Sequence, residues 1–179
     1  LMIYPHSPET YVDNLPAKKK YNTRKNGNNF TLSLNQPVTI TGPVSLGIEV
    51  QDYLNGSHNR CGIYDVQILL DGRMFYHIVM DEFSYSTTRY INTLMDYSEK
   101  IRNGHNFIRT YISPNNHLTI YRTKTDHGII NFEDMKLHEI EILASDVNGN
   151  TSHMRFKMMR GTPPLDQSVE LNNRLEGIQ

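Results

Sequence analysis

Between Arg60 and Asp96 the chain reads RCGIYDVQILLDGRMFYHIVMDEFSYSTTRYINTLMD, and the first half of that stretch leaves few folds open. Tyr64, Val66, Ile68 and Leu70 alternate with Ile63, Asp65, Gln67 and Leu69, so each set would line one face of a strand. After Asp71-Gly72 the period of two resumes in Met74, Tyr76, Ile78 and Met80. Asp-Gly between two alternating runs predicts a tight hairpin, because both central residues of that turn take positive φ. The following block, FSYSTTRYINTLMDY, is neither cleanly helical nor cleanly extended and is too aromatic for an ordinary solvated loop.

The rest of the chain repeats the signal. Asn26-Gly27 joins a basic run (Lys18, Lys19, Lys20, Arg24, Lys25) to Phe30, Leu32 and Leu34, a second hairpin. That run reads as an edge strand guarded by lysines rather than as a contact for an anionic polymer. Gln36-Pro37 opens a strand with Val38 and Ile40. Val44, Leu46, Ile48 and Val50 then alternate without error. His138, Ile140, Ile142 and Ala144 are expected to pair with Met154, Phe156 and Met158 across Asp146-Val147-Asn148-Gly149-Asn150. Asp96-Tyr97-Ser98-Glu99 has the form of a capping box and Asn103-Gly104 the form of a stop, which predicts one helix of about two turns. Leu1 to Tyr4, ended by Pro5, reads as an edge strand or the tail of a preceding domain.

Eleven tyrosines, no tryptophan and many Asn and Thr suit strands and turns better than a helical bundle. Short strands with turn signals every 8 to 12 residues or so point to a sandwich. The expected fold is all-β: an immunoglobulin-like antiparallel β-sandwich with a long N-terminal hairpin and at most one short helix. Its expected organisation is an N-terminal strand and loop over 1–17, the sandwich over 18–160, and a linker or tail over 161–179.

Chemistry is sparse by comparison. A net charge of −1 gives no reason to expect nucleic acid, and no stretch has the length of a membrane span. The single cysteine, Cys61, is assigned no nucleophile role. The histidines at 6, 58, 77, 105, 117, 127, 138 and 153 form neither H-x-H nor H-E-x-x-H. His77 and Asp81 fit H-x-x-x-D, but on one strand they would lie roughly 13 Å apart, too far for one metal. The loop from Asp146 to Asn150 begins like a calcium loop, yet its sixth position is Thr151 and strands flank it, so a hairpin loop is the reading. No catalytic or metal residue is assigned. Tyr85, Arg89 and Tyr90, with Arg109, could form a sugar-stacking surface. The bland alternative has Arg89 tied to Asp81, Glu82 or Asp96 with the tyrosines packed beneath.

Several blocks in order carry a resemblance: GPVSLGIEVQD, NRCGIYDVQILLDGRMFY, FSYSTTRYINTLMDY, PNNHLTIY, HGII and HEIEILASDVNGNTS. Together, over roughly Leu1 to Arg160, they resemble the non-catalytic region following the catalytic domain in lysostaphin/LytM-type zinc metallopeptidases of Gram-negative bacteria. Those enzymes cut peptidoglycan cross-links with zinc held by H-x-x-x-D and a later H-x-H. No catalytic role carries over, since H-x-H is absent and His77 and Asp81 fall inside the post-catalytic hairpin. The opening Leu1-Met2-Ile3-Tyr4-Pro5 is similar to the segment just after the peptidase domain. The resemblance implies a fragment of a longer peptidoglycan endopeptidase of the periplasm or cell envelope. Zinc would belong only to the missing peptidase domain. The partners would be that domain and, as an alternative, peptidoglycan or an envelope protein.

Overall fold

The computed structural model describes residues 1–49, 52–53, 60–61, 63–81 and 90–164. In chain order the strands are β1 (Met2–Pro5), β2 (Lys19–Lys20), β3 (Thr23–Asn26), β4 (Asn29–Leu32), β5 (Val38–Ile40), β6 (Val44–Ile48), β7 (Asp52–Tyr53), β8 (Arg60–Cys61), β9 (Asp65–Leu70) and β10 (Arg73–Val79). Helices α1 (Ile91–Leu94) and α2 (Tyr97–Asn103) follow, then β11 (Ile108–Arg109), β12 (Tyr121–Lys124), β13 (Leu137–Ser145) and β14 (Thr151–Arg160).

These strands build a β-sandwich, the all-β class that the alternation predicts. The small sheet runs β11-β6-β1-β2. The large sheet runs β12-β10-β9-β13-β14-β4-β3, with β5 also on β14 and β7–β8 as a separate ribbon. Ile3, Leu46 and Ile48 of the small sheet share one apolar core with Val66, Ile68, Tyr76, Ile78, Ile140, Ile142 and Met158 of the large one. Burial of such side chains stabilises by roughly 1.5–3 kcal/mol each and sets the register, since a one-residue slip would turn them all outward.

The predicted hairpins form. Leu70 pairs with Arg73, and the turn residues Asp71 (φ 50°) and Gly72 (φ 76°) both take positive φ. Asn26 pairs with Asn29, so Gly27 (φ 60°) and Asn28 make that turn. Ile140 faces Phe156 and Ile142 faces Met154 across β13 and β14.

Elsewhere the structure departs from expectation. The β9–β10 register shifts between Met74 and Tyr76, so Phe75 and Tyr76 are both buried while Met74 turns outward. A bulge inserts one residue into a strand, which a strict period of two cannot report. Leu1 to Tyr4 is not an edge, because β1 lies between β6 and β2. Met2 and Ile3 point to opposite faces and are both buried, so the strand is covered on both sides. The buried Val12 and Ile3 of β1 share the core of the sandwich. Most pairing is antiparallel, but β4 and β5 both run parallel to β14. Pro37, which has no N–H to give a ladder, falls between these two short strands. The basic run lies on sheet edges, since β2 ends the small sheet and β3 ends the large one.

The helix signals also hold, with one change. Asp96 Oδ1 accepts the Glu99 N–H at 3.1 Å, and Gly104 (φ 72°) closes α2 by donating its N–H to the Lys100 carbonyl at 3.1 Å. The second half of the capping box is missing. The Asp96 N–H donates to the Phe107 carbonyl at 3.0 Å, and the Glu99 carboxylate turns to Lys18. Those two contacts lay α2 against the outer face of the small sheet.

Candidate functional site

A polar cluster lies on that outer face. The register Tyr4↔Ser45 and Met2↔Gly47, extended by Arg109↔Gly47, puts these side chains on one side of three neighbouring strands. Gly47 is required there, since a Cβ would stand 2.7 Å from Tyr4 Cε2. The Tyr4 ring thus crosses the glycine, and its hydroxyl donates to Asp96 Oδ2 at 2.9 Å. Lys18 lies 2.5 Å from Glu99 Oε1 and 3.4 Å from Asp96 Oδ2. Burial works against the Asp96 charge, but bonds from Ser98, the Glu99 N–H and Tyr4 outweigh it and hold its pKa at about 2. Burial first, then the bond to Asp96, pushes the Tyr4 phenol far up. The Lys18 and Asn103 bonds lower Glu99.

Next to this network, His6 Nε2 lies 2.8 Å from Ser45 Oγ, a spacing that a nucleophile and its base would share. Ser45 is only 1% exposed, so its hydroxyl cannot meet a substrate, and His6 serves to satisfy it. Burial and then Arg109 lower the His6 pKa, which keeps the ring neutral beside Tyr111, 4.7 Å away. Among the expected binding residues, Arg109 belongs to this cluster. Its Nη2 reaches the Thr93 carbonyl at 3.5 Å, and its buried Nε has no hydrogen-bond partner among the described residues. Tyr90 is half-buried against the core, edge-on to His117 at 5.3 Å, and its carbonyl accepts from Thr93. Tyr85 and Arg89 lie outside the described residues.

The H-x-x-x-D pair is separated by its partners. His77 bonds Asp65 at 2.7 Å, while Asp81 meets Arg122. Among the described residues no group of three or more His, Cys, Asp or Glu could hold a metal ion. Asp146 Oδ1 accepts the N–H groups of Asn148 and Asn150, which turns the calcium-like loop in on itself. A histidine that sequence spacing did not single out is His138. Its ring stacks on Phe132 at 4.0 Å and lies between Asp71 at 2.6 Å and Asp134 at 2.9 Å.

A second polar feature is an open groove of about 870 Å³ at one end of the sandwich. The turn ends of β13 and β14 form one side, the β3–β4 hairpin another, and Leu1, Ile48 and Glu49 the small-sheet side. The signal for it in the sequence is the polar Ser152, which follows the inward phase of Met154, Phe156 and Met158.

Fold and site together define a β-sandwich module in which the buried Asp96 and Glu99 hold a helix onto a sheet. Comparison with protein-family models, curated proteins and solved structures finds no match.

Proposed function

We propose that this chain is a non-catalytic accessory domain of a cell-wall zinc metallopeptidase, one that positions or restrains the catalytic domain at the periplasmic or envelope face. The observation that supports this reading is the use of the polar groups. Asp96, Glu99, Lys18 and Tyr4 fasten α2 to the small sheet, and His6 satisfies a buried serine. Groups engaged in this way give rigidity, the property a positioning domain needs. The partner would be a peptidase domain on the same polypeptide, and zinc would sit there. The test is to express the longest reading frame containing this chain and to follow cross-link cleavage in purified peptidoglycan. Zinc-dependent cleavage by the long protein, with none by residues 1–179 alone, is expected. Cleavage by the chain alone would sink the idea.

Binding of peptidoglycan glycan is a second reading, favoured by the open groove rather than by Tyr90 or Arg109. Retention of the chain by insoluble peptidoglycan, released by soluble glycan, is its expected result.

A further inference from the structure

We propose that the groove at the end of the sandwich is a binding site for an acidic, N-acetylated saccharide. This inference rests on the glycan-binding reading and supplies its site. The groove volume of about 870 Å³ falls within the range of roughly 300–1,000 Å³ typical of small-molecule sites. Its chemistry is mixed in a particular way. Asn22, Thr23, Asn28 and Ser152 line it and make no side-chain hydrogen bond among the described residues. Each amide offers donors and an acceptor side by side, and each hydroxyl can do either, which matches ring hydroxyls and acetamido groups. Ile63, Met154 and Phe30, all half-buried, add apolar surface for the C–H faces of a sugar ring.

Charge selects among saccharides. Lys20 and Lys25 border the groove, and neither forms a salt bridge with a carboxylate among the described residues. Lys20 Nζ meets the His105 ring nitrogen at 2.6 Å, and Lys25 lies over the Phe30 ring at 5.7 Å. The nearby carboxylates are already engaged: Glu49 with His105 at 3.0 Å, and Asp146 with the N–H groups of its own loop. The ammonium groups of Lys20 and Lys25 suit a carboxylate on the ligand, while the Glu49 and Asp146 carboxylates keep their negative charge and select against one placed beside them. A net charge of −1 over the whole chain argues against a nucleic acid as occupant.

The test uses residues 1–179 and two probes built on N-acetylglucosamine, hyaluronan tetrasaccharide with carboxylates and chitotetraose without. Amide NMR signals of Asn22, Lys25, Asn28 and Ser152 are expected to move with either probe, with tighter binding of the acidic one at low salt. Lys20→Ala with Lys25→Ala is expected to weaken hyaluronan tetrasaccharide about tenfold while leaving chitotetraose unchanged. Asn28→Ala, at an exposed turn, is expected to weaken both. The unliganded spectrum of each variant reports its fold. No movement of the groove signals at millimolar probe, or movement centred on Tyr90 and Arg109, would overturn the proposal. A peptidoglycan pull-down separates the two claims. Wall binding that survives all groove substitutions removes the groove and leaves the glycan reading. Tetrasaccharide binding in the groove without wall binding does the reverse.

Discussion

Gly128 and Gly72 occupy almost the same positive φ, 74° and 76°, yet a methyl group would meet different surroundings at each. At Gly72 nothing lies within 4 Å of the added carbon, so alanine brings only the left-handed strain of about 1–2 kcal/mol. At Gly128 the added carbon would stand 2.0 Å from the Thr110 carbonyl oxygen. The obstacle is backbone and cannot swing aside. Thr110 also holds the place from both sides, accepting the Leu46 N–H at 3.0 Å and donating to the Gly128 carbonyl at 2.8 Å. Gly128→Ala should therefore cost about 3 kcal/mol or more, against about 1 kcal/mol for Gly72→Ala. Urea unfolding of both variants measures the difference. Equal midpoint shifts would show that the clash relaxes freely. The turn at Asp126-His127-Gly128 was legible as a turn, because Asp and Gly favour positive φ. The Thr110 contact that makes the glycine indispensable was not, since it spans 18 residues of sequence.

Element α2 shows the same division. Its start and stop follow from Asp96 and Gly104, local chemistry that the sequence displays. Its seat on the small sheet depends on Tyr4, 92 residues from Asp96, and on Lys18, 78 residues away. No periodicity reports such pairs. Asp96→Ala removes the N-cap, the Tyr4 bond and one contact of Lys18 together. A lost cap costs about 1 kcal/mol, and a half-buried tyrosine hydroxyl left unpaired about 1–3 kcal/mol more. The loss should stay local. Amide exchange in Tyr97–Asn103 should quicken, while β9, β10 and β13, held by their own ladders, keep their protection. Uniform loss of protection across both sheets would mean that α2 is part of the sandwich's cooperative core and not a layer added to it. Tyr90, an expected binding residue, is half-buried against the core with its ring edge-on to His117. Aromatic residues in a sequence do not reveal which of their faces is already covered.

For the whole molecule, face alternation was enough to find the sandwich and its main hairpins, because burial on one side imposes a period of two. It could not find the parallel edge of β14 or the central place of β1, which depend on strand direction and neighbours. Nor could it show that His6 and His138 act in opposite senses on stability. For His138, burial opposes the charge, but Asp71 and Asp134 outweigh it, and its folded pKa lies above 6.5. Its contribution is complete below 6.5 and is lost as pH rises through the raised value. For His6, burial and then Arg109 put the folded pKa below 6.5. Its contribution is present above 6.5 and is lost as pH falls through the lowered value. The two together predict a stability maximum near neutral pH. In more acidic solution a second decline sets in as Asp71, Asp134 and Asp96, all held below their usual 3.8, become protonated. Thermal melts from about pH 5 to about pH 9 should separate the histidines. His138→Gln should flatten the alkaline side and leave the acidic side in place, and His6→Gln should do the converse. If His138→Gln keeps the full alkaline decline, the carboxylate pair does not stabilise the imidazolium. The link it makes between the β9–β10 turn and β13 would then rest on Phe132 stacking and on the Glu139 N–H to Asp71 bond of 2.9 Å.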